Sequence, residues 1–210
     1  MTDTWKRLVE EGNDSYSRGK SPEAEVKFLA ALEEAEKFGE DDARLALTLN
    51  NLAAMYHEQG KYTMAEPHYK RALDIRIRIY GENQNHPDIA LNHHNLAVLY
   101  SARRMYPMAE NHYKLAVTMK EELYGKDGPE LINTLTYYAQ LMKVQNRLVE
   151  RQMLAARVKT IASKNENEAG CGSGCDSHDA HDTHDSSDHG DSQGQKKEGS
   201  KKVIKVTPVA

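Results

Sequence analysis

Residues 50–73 read NNLAAMYHEQGKYTMAEPHYKRAL, and residues 94–117 read HNLAVLYSARRMYPMAENHYKLAV. Forty-four positions apart, Asn51-Leu52-Ala53 matches Asn95-Leu96-Ala97, and Tyr56 matches Tyr100. The register then holds through Tyr62 and Tyr106, Ala65-Glu66 and Ala109-Glu110, His68-Tyr69-Lys70 and His112-Tyr113-Lys114, and Ala72 and Ala116. An aromatic-Gly pair closes each unit: Phe38-Gly39, Tyr80-Gly81 and Tyr124-Gly125. Self-similarity at such a period marks a stacked array, in which one unit is too small to bury its own apolar face.

Within a unit the spacing predicts a helical hairpin. Leu49, Leu52, Ala53 and Tyr56 fall at i, i+3, i+4 and i+7, one apolar stripe on a first helix. Gly60 breaks that helix, with Arg104 at the same place in the next unit. Tyr62, Ala65, Tyr69, Ala72 and Leu73 give a second stripe, with small Ala where two backbones approach. Gly81 is expected to end the second helix in a left-handed cap, and Pro87 and Pro129 to stand near the start of the next. Working backwards, Trp5, Leu8, Gly12, Gly19, Ala24, Phe28 and Ala31 outline a first unit. Forwards, Leu135, Tyr138, Ala139 and Met142 open a fourth. There Arg151 replaces Ala65 and Ala109, the more polar face with which an array ends.

The 210 residues are 39% hydrophobic, enough for a real core, and eleven Tyr compensate for two Phe and one Trp. Residues 1–164 carry 23 basic and 23 acidic side chains, so no whole-domain field favours nucleic acid. There is no apolar leader after Met1 and no apolar run near the roughly 18 residues of a membrane span. Both cysteines lie beyond residue 170, so no disulfide framework supports the repeats. These features predict a cytoplasmic protein that does not insert in membranes; they leave its oligomeric state open.

The Ala-and-aromatic spacing resembles the tetratricopeptide repeat (TPR) family. The unit of roughly 42 residues rather than 34, with Asn-Asn-Leu-Ala, Ala-Glu-Pro-x-Tyr-Lys-Arg-Ala-Leu and His-Pro-Asp-Ile-Ala, is similar to the repeats of kinesin light chain and nephrocystin-3. The resemblance covers about residues 5–160. It implies an all-α fold, a right-handed superhelix of about four helix-turn-helix repeats, and the composition beyond it predicts a disordered C-terminal tail. The TPR domain is expected over residues 1–164, with repeats at about 5–39, 46–81, 90–125 and 132–163.

The resemblance also implies a function: a protein-interaction scaffold or adaptor, not an enzyme, with a protein or peptide in a concave groove lined by the first helices. Counted along the repeats, the groove should show Asn13 and Tyr16 from the first unit. The second supplies Asn50, Asn51, Ala54 and His57, and the third His94, Asn95, Val98 and Ser101. The fourth adds Asn133, Tyr137, Gln140 and Lys143. Asn51 and Asn95 resemble family residues that hydrogen-bond an extended peptide's backbone, since a side-chain amide offers both donor and acceptor. The alternative is that these amides brace neighbouring helices. Val9, Leu91 and Asn95 stand where a second TPR subtype has the basic residues that grip a terminal carboxylate, which argues against that mode here. No Ser/His/Asp or paired-carboxylate spacing points to catalysis.

From about Asn165 the helical pattern is expected to stop. Residues 165–195 hold eight acids and no Lys or Arg; residues 196–210 hold five Lys and a short apolar end. Such composition cannot bury a core, so disorder is the expected state. Cys171, Cys175, His178, His181, His184 and His189 offer thiols and imidazoles, the usual ligands for zinc, nickel or copper. No spacing among them fits a zinc finger. They keep open a second function, a metal-handling accessory protein or chaperone that docks a client through the repeats and carries metal on the tail.

Overall fold

The computed structural model describes residues 2–81 and 85–170, which belong to one compact unit, Met1–Ser173. The expectations for the Cys/His/Asp-rich and Lys-rich segments lie outside the described residues. The described chain forms eight α-helices: α1 (Thr2–Ser17), α2 (Ser21–Glu36), α3 (Ala43–Glu58), α4 (Tyr62–Tyr80), α5 (Pro87–Ala102), α6 (Tyr106–Tyr124), α7 (Leu131–Val144) and α8 (Leu148–Gly170). They pair as four hairpins, each second helix packs on the next first helix, and α3 touches α5 as α5 touches α7. The first helices therefore share one side of the stack. Helix α8 runs on to Gly170, beyond the expected stop near Asn165.

The four hairpin turns are alike. Gly19, Gly60, Arg104 and Asn146 all take positive φ, at 73°, 74°, 60° and 59°. In each case the following amide reaches back five residues: Lys20 N to Ser15 O, Lys61 N to Tyr56 O, Met105 N to Tyr100 O and Arg147 N to Met142 O, all at 2.8–2.9 Å. This is the Schellman closure that satisfies otherwise orphaned helix carbonyls. Arg104 and Asn146 adopt it without glycine's freedom, held there by the packing on both sides.

The unit ends depart from expectation. Gly81 and Gly125 have φ of 92° and 79° but ψ of 147° and 166°. That region, unlike the expected left-handed cap, is open to almost no residue but glycine. Pro87 does stand at the first helical position of α5, where His86 Nδ1 accepts from the Asp88 amide at 3.2 Å. Pro129 instead lies in the turn before α7, its carbonyl accepting from Ile132 N at 3.1 Å. At α3 the cap is Asp42, which accepts from Arg44 N at 2.8 Å.

Inside each of the first three hairpins, two alanines allow the helices to close: Ala24 and Ala31, Ala65 and Ala72, Ala109 and Ala116, all fully buried. Between them sits Phe28, Tyr69 or Tyr113, also buried. Burying a ring of that size contributes about 2–3 kcal/mol. Gly12 is a tight approach inside the first hairpin, since a Cβ there would lie 2.7 Å from the Phe28 ring.

Two polar devices recur at the junctions between hairpins. In the first, a glutamate on the second helix accepts from the next hairpin's tyrosine and from a cation at its turn. Glu25 takes Tyr56 at 3.0 Å and Lys61 at 3.5 Å; Glu66 takes Tyr100 at 3.0 Å and Arg103; Glu110 takes Tyr138 at 3.3 Å and Arg147 at 2.5 Å. In the second, a buried polar residue on the following first helix is served from behind. Trp5 Nε1 donates to Thr48 at 2.9 Å; Arg76 donates to Asn92 and to Asp88 O; Lys120 donates to Thr134 and Glu130 O at 2.9 Å. Thr48, Asn92 and Thr134 are fully buried, so an unserved side chain would cost about 1–3 kcal/mol. At the corresponding places α8 carries Gln152 for the glutamate, Ala155 for the aromatic ring and Ala162 for the cation. Its outer face lacks both devices, and Arg151 is exposed where Ala65 and Ala109 are buried.

Candidate protein-binding groove

The side formed by α1, α3, α5 and α7 carries most of the residues expected to line a groove. Asn13, Tyr16, Ala54, His57, Asn95, Val98, Ser101 and Tyr137 are half-buried there, and Asn133, Gln140 and Lys143 are exposed. Asn50 and His94, expected on the surface, are instead buried at 2% and 5% exposure. The reason is the packing of α3 against α5. Asn50 Oδ1 accepts from Asn95 Nδ2 at 2.8 Å, so these two amides brace the second and third hairpins across 45 positions of sequence. His94 is enclosed by Tyr113 and Tyr137, with ring centroids at 6.1 and 5.4 Å in edge-on contacts.

Asn51 differs from its repeat partner. It is 6% exposed and its Oδ1 has no hydrogen-bond partner. Tyr16 Oη, His57 Nε2 and His94 Nδ1 share that condition. Polar atoms removed from water are normally paired, because leaving one unpaired costs about 1–3 kcal/mol. Four such atoms lie on α1, α3 and α5, and two more, Gln59 Oε1 and Gln145 Nε2, at the ends of α3 and α7, whereas the buried groups of the two latches are satisfied.

Five histidines, His57, His68, His93, His94 and His112, are held neutral by burial. His94 is pushed down to about 3 by its burial, with the Lys120 charge adding. His93 falls to about 4 by burial, with His112 adding; their Nδ1 atoms lie 2.9 Å apart. Burial also lowers His57, His68 and His112. His68 and His112 stack on Tyr56 and Tyr100 at 5.8 and 5.5 Å, the same contact in two repeats. His93 and His94 face different neighbours, as adjacent helix positions must. Tyr16, Tyr69 and Tyr137 are raised, first of all by burial.

Gln59 and Gln145 were not singled out in the sequence. The signal that would have found them is their shared register, one place before the turn residues Gly60 and Asn146. The junction glutamates were legible, since Glu66 and Glu110 belong to the matched Ala-Glu pair. Among the described residues no cluster of three or more His, Cys, Asp or Glu could hold a metal. Cys171, Cys175, His178, His181, His184 and His189 lie outside them. Among the described residues no helix is long and apolar enough to cross a membrane.

The family model for the tetratricopeptide repeat matches residues 10–78 and 44–122. This chain belongs to the tetratricopeptide repeat family. Its fold is shared by solved structures at low identity. BtubC (BKLC) from P. vanneervenii superposes with a TM-score of 0.69 at 21% identity, over 88% of this chain and 71% of that one. A putative kinesin light chain from Podosopora anserina, with nearly identical TPR-like repeats, gives 0.63 at 17% identity, covering 77% and 76%. The apo form of RapI gives 0.68 at 18% identity, covering 80% of this chain and 59% of RapI. No curated protein matches the chain. The TPR fold is in general that of a protein-interaction scaffold.

Proposed function

We propose that this TPR protein is a cytoplasmic adaptor whose inner groove holds an extended segment of another protein, without catalysing a reaction. The observation that carries the reading is the set of unpaired polar atoms on the inner side: Tyr16 Oη, Asn51 Oδ1, His57 Nε2 and His94 Nδ1. An extended backbone presents an amide and a carbonyl at every residue, on a spacing of about 3.3 Å. Such a segment can hydrogen-bond these groups once their side chains turn toward it, while Val98, Ala54 and Tyr137 meet its apolar side chains. In this arrangement Asn51 reads the partner, whereas Asn95 positions Asn50. Asn51→Ala orphans no protein group and should weaken partner binding by about three- to tenfold with an unchanged melting temperature. Gln140→Trp, at an exposed site, should obstruct the groove without unfolding it. A pull-down of chains ending at Gly170, with and without these changes, checks the reading. A partner retained equally by both variants would refute it.

A second reading rests on composition. Two thiols and four imidazoles between Cys171 and His189 favour zinc, nickel or copper on the tail of a metal-handling accessory protein. Calorimetric titration of the full chain with each metal tests it; stoichiometric uptake lost on truncation at Gly170 supports this reading, and weak, non-saturating uptake refutes it.

A further inference from the structure

The back of the last helix departs from the pattern of the other hairpins. Among the described residues, Val144, Leu148, Val149 and Met153 are exposed apolar side chains close together in the chain, Val149 at 71% and Met153 at 68%. On α8, Val149, Met153, Ala156, Thr160 and Ser163 recur at steps of four, three, four and three, and all five are exposed. That is the spacing of a coiled-coil seam. It lies on the side of α8 opposite Leu154, Val158 and Ile161, which pack with Leu131 and Leu135 of α7. The corresponding exposed places on α4 are Thr63, Pro67, Lys70 and Asp74, and on α6 Pro107, Asn111, Lys114 and Thr118. The last hairpin therefore exchanges the lysine of the middle place for Ala156, and puts Val149 and Met153 beside it.

This seam can be covered without orphaning a polar group. Thr160 Oγ1 donates to Ala156 O at 3.2 Å and Ser163 Oγ to Thr160 O at 3.0 Å, so both hydroxyls are satisfied within their own helix. Set antiparallel against itself, about a two-fold axis level with Leu154 and Ala155, the seam is its own complement. Met153 then faces Ala156 of the second copy, large against small, and Val149 faces Thr160, which has the same branched shape. Along the edges Glu150, 46% exposed, comes beside Arg157 of the second copy, and the exposed Gln152 beside Lys159. Opposite charges or a charge and an amide meet there, and no like charges are opposed. A lysine at the middle place, as on α4 and α6, would be carried into the contact without a counter-ion.

We propose that the back of α8 is the contact surface for a second copy of this chain, the two α8 helices lying antiparallel in an isologous dimer. The seam is short, about two heptads, so the dimer is weak, with a Kd in the micromolar range. It lies on a second helix, apart from the groove of the first helices, so the groove reading stands or falls separately.

Sedimentation velocity of the full chain tests this, in reductant and chelator so that cysteines and histidines do not bridge copies. From about 1 to 200 µM the average mass should rise from that of a monomer toward twice that value. Ala156→Lys gives α8 the residue that α4 and α6 already carry at this place, so the fold accepts it. It should weaken the dimer by about tenfold or more, and Met153→Glu should do the same. Val26→Glu, at a comparably exposed apolar site on α2 (65%), should leave the equilibrium unchanged. Gln152→Glu should tighten the dimer about threefold and Gln152→Lys loosen it, since both act on Lys159 of the second copy. Melting temperatures at about 1 µM, where the natural chain is monomeric, should be unchanged in all five variants. A monomer at every concentration overturns the proposal, as does a dimer that survives Ala156→Lys and Met153→Glu. Weakening by Val26→Glu to the same degree also overturns it. Equal effects of Gln152→Glu and Gln152→Lys overturn the antiparallel pairing.

Discussion

At the scale of single residues, position in the repeat decides what a side chain does more than its chemistry. Asn51 and Asn95 are equivalent in sequence, yet Asn95 donates to Asn50 while Asn51 leaves its Oδ1 unpaired. Glycines divide in the same way. Gly12 is required for space, because a methyl group there would meet a Phe28 ring that is itself fully buried. Gly12→Ala should therefore lose about 1–3 kcal/mol in urea denaturation, the cost of overpacking a filled core. Ala at Gly60 should be milder, since the open turn offers room and only the positive φ resists. Asn at Gly60 should be nearly neutral, because Asn146 already takes that conformation in the fourth turn.

At the scale of helices, stability resides in the junctions. The latch Glu66, Tyr100 and Arg103 ties α4 to α5 and to the turn that follows it. Behind it, Arg76 is 3% exposed and serves Asn92 and the Asp88 carbonyl. Arg76→Ala leaves the buried Asn92 Oδ1 unpaired and opens a cavity, and should cost about 3 kcal/mol, measured by the urea midpoint. Lys70→Ala, an exposed partner of the same Glu66, should change the midpoint by under about 0.5 kcal/mol. In a stack where each hairpin touches chiefly its neighbours, Arg76→Ala should also separate unfolding of the first two hairpins from the last two. Hydrogen exchange would show this as unequal protection on the two sides of residue 81.

At the scale of the whole molecule, buried imidazoles make stability depend on acid. Above a pH near 6.5 His93 and His94 are neutral in both folded and unfolded chains. Below it the unfolded chain takes up protons that His93 and His94 resist until about 4 and about 3. The unfolded state then binds more protons, so stability falls as pH drops from about 7 toward 4. The loss is on the order of 3 kcal/mol for His93 alone. The second repeat has Leu49 where the third has His93. His93→Leu should accordingly flatten the decline, a result checked by urea midpoints at pH 7, 6, 5 and 4.5.

The hairpin architecture was legible in the sequence alone. Helix identity, the turns at Gly19 and Gly60, and the Ala24, Ala65 and Ala109 contacts follow from periods of about 3.6 residues and from side-chain size, which are local properties of the chain. The array was legible for the same reason, as one local solution repeated. Only tertiary structure decided how the inner face divides. Whether an amide is a brace or a free group depends on the distance between α3 and α5, and that distance is set by core packing elsewhere. Asn50 and His94 are buried, and Asn51 is unpaired, because of that separation. The enclosure of His94 by Tyr113 and Tyr137 has the same origin. It joins residues up to 43 positions apart in the chain through the packing of successive hairpins, a relation that no local pattern encodes.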